Sequence, residues 1–83
     1  MEIKNRLGLH LRAASTLAQA VKGFTSTVTI IKGKNQVSAR SVTGLMMLGA
    51  AQGTKLKVRV EGDDAADAMR AIKQLFDAKF NED

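Results

Sequence analysis

The chain has 83 residues, 45% of them apolar, with three aromatics that are all Phe, a single His and no Cys. This is enough for one small domain over residues 1–83 with an aliphatic core. It excludes disulfide and thiol chemistry, and one His without Cys argues against a zinc site, so neither a metal nor a cofactor is expected. The net charge of +5 is unevenly placed: residues 1–60 hold ten Lys or Arg against Glu2 alone, a formal +9, whereas residues 61–83 hold three against seven acids, a formal −4. The basic part suits an anionic ligand or an acidic partner surface. Nucleic acid is a poor match, because there is no Trp or Tyr to stack on bases and no dense Lys/Arg run. No apolar run is long enough to span a bilayer, and the opening Met1-Glu2-Ile3-Lys4 lacks the basic and apolar regions of a signal peptide. No membrane insertion is therefore expected, and a cytoplasmic location is the default.

In chain order, residues 2–6 predict a short strand, and Leu7-Gly8-Leu9 a flexible corner. A helix over residues 11–22 follows, with Ala14, Leu17, Ala18, Val21 and Phe24 at the spacing of one buried face and Gly23 as its stop. Leu11, Arg12, Ser15, Gln19 and Lys22 fall on another side, an exposed strip that starts at His10. Thr25–Lys32 is β-branched through its middle and predicts a strand; Lys32-Gly33-Lys34-Asn35 is a turn, and Gln36–Arg40 the returning strand of a hairpin. Ser41 to Gly49 predicts a helix of about two turns between a capping serine and a stopping glycine. Leu45 and Leu48 face inward there, leaving Val42, Thr43, Met46 and Met47 partly exposed as a flexible apolar docking patch. Leu56, Val58 and Val60 alternate with Lys55, Lys57, Arg59 and Glu61 in a further strand. Gly62-Asp63-Asp64 turns and caps a last helix with Ala65, Ala68, Ile72, Leu75 and Phe76 inward; residues after Phe80 are expected to fray. The order β-α-β-β-α-β-α gives three helices that need one cover. An open-faced α+β sandwich, a four-stranded antiparallel sheet covered on one side by the helices, provides it.

The chemistry is expected at Gly8-Leu9-His10-Leu11-Arg12, where the only histidine stands at a helix mouth. Unpaired N–H groups and the helix dipole stabilise anions there. The same positive charge favours a neutral imidazole, leaving a nitrogen lone pair free to act as a nucleophile. A phosphoryl group taken up on that nitrogen would meet the backbone N–H groups of Leu11 and Arg12, and the Arg12 guanidinium could add a charge-assisted bond. The bland alternative is a histidine that only caps its helix.

Gly8-Leu9-His10-Leu11-Arg12-Ala13-Ala14, followed by Ser41-Val42-Thr43-Gly44-Leu45-Met46-Met47-Leu48-Gly49 and set in this element order, resembles the histidine-containing phosphocarrier (HPr) family over essentially the whole chain. The Asn5-Arg6-Leu7-Gly8 lead-in looks more like the nitrogen-related than the sugar-transport branch. The resemblance implies that His10 accepts a phosphoryl group on Nδ1 from phosphorylated enzyme I, with phosphoenolpyruvate as ultimate donor, and passes it to an enzyme IIA, Arg12 stabilising the phosphate. It implies that Ser41 is a candidate for regulatory phosphorylation by an HPr kinase/phosphorylase, and that Leu11, Ser15, Gln19, Lys22, Arg40, Val42, Thr43, Met46 and Met47 form the partner interface of a monomer. The protein would be a carrier rather than a stand-alone catalyst. Two positions depart from the family pattern. Its usual proline is Ala13 here, which a first helical turn tolerates, so transfer is expected to survive; the usually small residue after the histidine is Leu11, which bears on partner choice more than on chemistry. The alternatives are a regulatory module acting through Ser41 without phosphotransfer, and a small basic nucleic-acid binder, which predicts salt-dependent association with DNA or RNA.

Overall fold

A computed structural model describes residues 1–82. Its helices are α1 (Leu11–Val21), α2 (Val42–Met47) and α3 (Ala65–Asp77), and its strands β1 (Thr27–Lys32), β2 (Asn35–Ser38) and β3 (Lys57–Glu61). The strands form one antiparallel sheet in the order β2-β1-β3, with Ile30 opposite both Val37 and Val58. Because side chains alternate across a strand, this register turns Val28, Ile30, Val37, Val58 and Val60 to one face. They meet Leu17 and Val21 of α1, Leu45 of α2, and Ile72 and Phe76 of α3 in one apolar core. The opposite face carries Thr29, which is half-buried, and Gln36, Ser38, Lys57 and Arg59, which are exposed. This is the expected open-faced α+β arrangement.

The sheet has three strands among the described residues where four were expected. Residues 1–3 do pair with the segment that leads into β3: Glu2 bridges Lys55, the Ile3 N–H donates to the Thr54 carbonyl at 2.9 Å, and the Leu56 N–H to the Met1 carbonyl. The ladder stops at that single bridge because the chain then turns inward. Asn5 is fully buried, and the Gly8 N–H bonds back to the Asn5 carbonyl at 3.2 Å, closing a turn where more strand would be needed.

Three further expectations change. Phe24 is not on the buried face of α1, since the helix ends at Val21 and Phe24 lies half-buried in the loop beyond it. Asp64 begins α3 without capping it. Its carboxylate accepts instead from the N–H groups of Thr25 and Ser26 at 2.8 and 2.9 Å and from the Ser26 hydroxyl. Ser26 is buried, so its N–H and hydroxyl have little other means of being satisfied. The chain after Phe80 is not frayed through residue 82. Lys79, Phe80 and Asn81 have φ of 56°, 55° and 63°, a left-handed turn that costs roughly 1–2 kcal/mol per residue. The buried Phe80 ring, stacked at a tilt on Phe76 with centroids 4.9 Å apart, offsets that cost and folds the tail back over the molecule.

Candidate functional site

The mouth of α1 is built by three segments. Leu9 is buried, and its N–H bonds the Ala50 carbonyl at 2.9 Å, tying the lead-in to the segment that leaves α2. Gly8 makes this approach possible: its φ is +71°, and a Cβ there would stand 2.5 Å from the Ala50 oxygen. His10 is then the N-cap of α1, with extended backbone, and its carbonyl accepts the first helical bond from the Ala14 N–H at 2.8 Å. The third segment is the tail, which brings Glu82 over the ring.

The two imidazole nitrogens have different partners. Nδ1 accepts from the Arg12 backbone N–H at 3.3 Å. Nε2 lies 2.9 Å from each carboxylate oxygen of Glu82. A nitrogen that accepts from an N–H bears no proton and a nitrogen facing a carboxylate donates one, so the network assigns the proton to Nε2 and the lone pair to Nδ1. Glu82 is held in turn. The Asn5 Nδ2 donates to its Oε1 at 2.8 Å and to the Gly8 carbonyl at 2.7 Å. The buried Asn5 Oδ1 has no hydrogen-bond partner among the described residues. Its amide is nevertheless fixed in this sense, because a flip would set the oxygen against two acceptors.

Around the ring the surface is partly open, with one charge of each sign beside it, Arg12 and Glu82. The His10 side chain is 31% exposed, α1 has no acid in its first turn, and the exposed Arg12 guanidinium makes no ion pair among the described residues. One shallow cleft is lined by Leu7, His10, Leu11, Arg12 and Glu82; a second, on the other side of the ring, by Leu7, Leu9, His10, Gly49, Ala50 and Ala51. The arrangement sets an unprotonated ring nitrogen at a helix mouth, beside a guanidinium that has no ion-pair partner among the described residues.

The structure groups some of the predicted site residues and separates others. Leu11 (59% exposed) flanks His10 in the first cleft, and Met46 (43%) and Met47 (80%) stand near the end of α2 that leads to Ala50. Ser41, Arg40 and Lys22 lie toward the other end of α1, where the Arg40 guanidinium donates to the Phe24 carbonyl at 2.8 Å. An eleven-residue helix is about 16 Å long, which sets the scale of the separation. Ser15 and Val42 are half-buried, and Gln19 and Thr43 exposed. Ser41 is the N-cap of α2, its Oγ accepting from the Gly44 N–H at 3.0 Å. Sequence reasoning missed Glu82, Asn5 and the exposed Leu7. The available signal was Phe80, four residues after Phe76: an apolar residue continuing the stripe of α3 marks a tail that is anchored.

A half-buried histidine capping a helix beside shallow clefts, on an open-faced sandwich, is the arrangement of a small α+β protein with no deep pocket at its helix mouth. Comparison with known proteins narrows it. The family described as "PTS HPr component phosphorylation site" matches residues 1–78. The chain is 42% identical over 83 residues to phosphocarrier protein HPr of Xylella fastidiosa (strain Temecula1), covering 100% of this chain and 93% of that protein. It is 45% identical over 80 residues to phosphocarrier protein NPr of Shewanella violacea, covering 96% and 88%. A solved structure, HPr-C-His from Thermoanaerobacter tengcongensis, superposes with a TM-score of 0.95 at 40% identity, covering 100% of this chain and 93% of that one. The chain belongs to the HPr family of phosphocarrier proteins.

Proposed function

We propose that residues 1–83 act as one stoichiometric phosphoryl carrier, in which Nδ1 of His10 takes a phosphoryl group from phosphorylated enzyme I, phosphoenolpyruvate being the ultimate source, and passes it to an enzyme IIA. The observation that carries this reading is the division between the ring nitrogens, with Nε2 on Glu82 and Nδ1 at the helix mouth. In the loading step the Nδ1 lone pair attacks phosphorus as the bond from phosphorus to the donor's nitrogen breaks, its electron pair returning to the donor. The Arg12 N–H, released from Nδ1, turns to a phosphoryl oxygen, and the Arg12 guanidinium adds charge from solvent. Shallow surroundings suit a group that must leave again, since a deep and fully bonded site would hold it.

Leu11, Ser15, Gln19, Lys22, Arg40, Val42, Thr43, Met46 and Met47 are the proposed docking face, with basic charge for acidic partners and thioethers that repack against more than one of them. A kinase acting on the exposed Ser41 would add a dianion to that face about a helix length from His10, and would act on docking rather than on the ring. No helix among the described residues is long and apolar enough to cross a membrane. The proposed carrier works in the cytoplasm as a monomer.

The test is incubation with phosphoenolpyruvate and enzyme I, read by intact mass and 31P NMR. Wild type is expected to gain one acid-labile phosphate and His10→Ala none. Failure of wild type to load with the enzyme I of its own organism would overturn the reading and leave a regulatory module.

A further inference from the structure

The tail contributes a carboxylate that the family resemblance does not assign. Glu82 is separated from His10 by 72 positions, yet its side chain is only 10% exposed, and both its oxygens face Nε2. Two structural features hold it there: the left-handed turn at Lys79–Asn81 anchored by Phe80, and the buried Asn5 amide. A loose surface ion pair needs neither. Building on the phosphocarrier reading, we propose that Glu82, held by Asn5, is a positioning residue for the carrier histidine. Its carboxylate keeps the proton on Nε2 and so reserves Nδ1 as the nitrogen that takes and gives the phosphoryl group.

The chemistry explains why this matters in both directions. On loading, Nδ1 forms its bond to phosphorus and the donor's nitrogen–phosphorus bond breaks; Nε2 keeps its proton, and the ring acquires a positive charge that Glu82 neutralises. On unloading, an acceptor's lone pair attacks phosphorus, the Nδ1–phosphorus electron pair returns to Nδ1, and the ring departs as neutral imidazole because Nε2 is still protonated. No proton moves in either step. If the Nε2 proton were lost from the loaded ring, Nδ1 would have to leave as imidazolate, a far poorer leaving group. The bond also stops the ring from turning, which keeps Nδ1 at the Arg12 N–H.

Wild type, Glu82→Gln and Glu82→Ala test the idea in the full chain, with amide-exchange protection of Leu17 as the check that the fold is kept. Two quantities are read: the 15N-edited NMR signal of the His10 Nε2–H, and single-turnover loading from phosphorylated enzyme I over a range of carrier concentration. Wild type should show a slowly exchanging Nε2–H that Glu82→Ala loses. The maximal loading rate of Glu82→Ala should fall about ten- to a hundredfold, as for loss of a hydrogen bond to a charged group, with the half-saturating concentration unchanged. Glu82→Gln, which keeps an acceptor oxygen but no charge, should retain the signal and load at an intermediate rate. An unchanged maximal rate in Glu82→Ala, or an effect confined to the half-saturating concentration, would overturn the positioning role. If wild type itself takes no phosphate, the carrier reading falls. The Nε2–H signal then still decides whether Glu82 holds the proton: its loss in Glu82→Ala supports that part, and its persistence removes it.

Discussion

Two helix mouths in this molecule are capped by a side chain, and they differ in how firmly. At α2, Ser41 Oγ accepts from the N–H three residues on at 3.0 Å; at α1, His10 Nδ1 accepts from the N–H only two residues on, at 3.3 Å. The serine cap is short and of the usual kind for a helix start. The histidine cap is long, and on the proposed function it involves the nitrogen that takes the phosphoryl group. On that reading the better cap does structural work, and the poorer one leaves Nδ1 available. His10→Ala against Ser41→Ala gives the largest contrast, complete loss of phosphate uptake in the first and uptake retained in the second.

A backbone version of the comparison comes next in size. Gly8→Ala places a Cβ at φ +71° and 2.5 Å from the Ala50 oxygen, so it should lose at least about 1–2 kcal/mol of stability and disturb His10 as the lead-in shifts. Gly44→Ala, inside α2, gains up to about 1 kcal/mol of helix propensity, against contacts of 3.0 Å to Ser41 Oγ and 3.3 Å to Val37. Its net effect should be small. Urea unfolding of the two variants checks the order, and equal losses would show that the α1 lead-in is no more constrained than α2. Smaller again is Ser41→Ala, expected to cost about 1 kcal/mol through the lost cap. For a domain of this size that is roughly 4–8 °C in Tm, measurable by circular dichroism. No shift would mean the Ser41 bond stabilises nothing, and would strengthen the case for Ser41 as a modification site.

The helices, the hairpin and the histidine at the mouth of α1 were legible because each rests on local pattern: the apolar stripe from Ala14 to Val21, the β-branched run at Thr27–Ile31, and the lone histidine before a helix. What was hidden depends on contacts between distant parts of the chain. The edge strand shrank to one bridge because Asn5 is drawn inward, and nothing in Glu2-Ile3-Lys4-Asn5-Arg6 alone announces a buried amide. Glu82 looked like a fraying acid because its partners lie 72 and 77 positions away. Asp64 read as the cap of α3 by the usual local rule. The donors that claimed it, at Thr25 and Ser26, come from a loop nearly forty residues earlier.

That third mouth supplies the smallest expected effect and the one with a definite pH signature. The Asp64 carboxyl is held below its ordinary value of 3.8, first by the Ser26 hydroxyl and then by the Thr25 and Ser26 N–H groups, partly opposed by desolvation. A carboxyl lowered in the folded state binds fewer protons there than in the unfolded chain. Its stabilisation is complete about a unit above the ordinary value, near pH 5, and is lost as pH falls through the lower folded value. Asp64→Asn removes that term while leaving Asp77, which is lowered chiefly by its hydrogen bond from Lys4, to shape the remaining acid limb. The stability gap between wild type and Asp64→Asn should therefore be level from pH 7 to about 5 and narrow below 4. A gap that stays constant down to pH 3 would mean that Asp64 acts through hydrogen-bond geometry alone, and that its charge contributes nothing to tying β1 to α3.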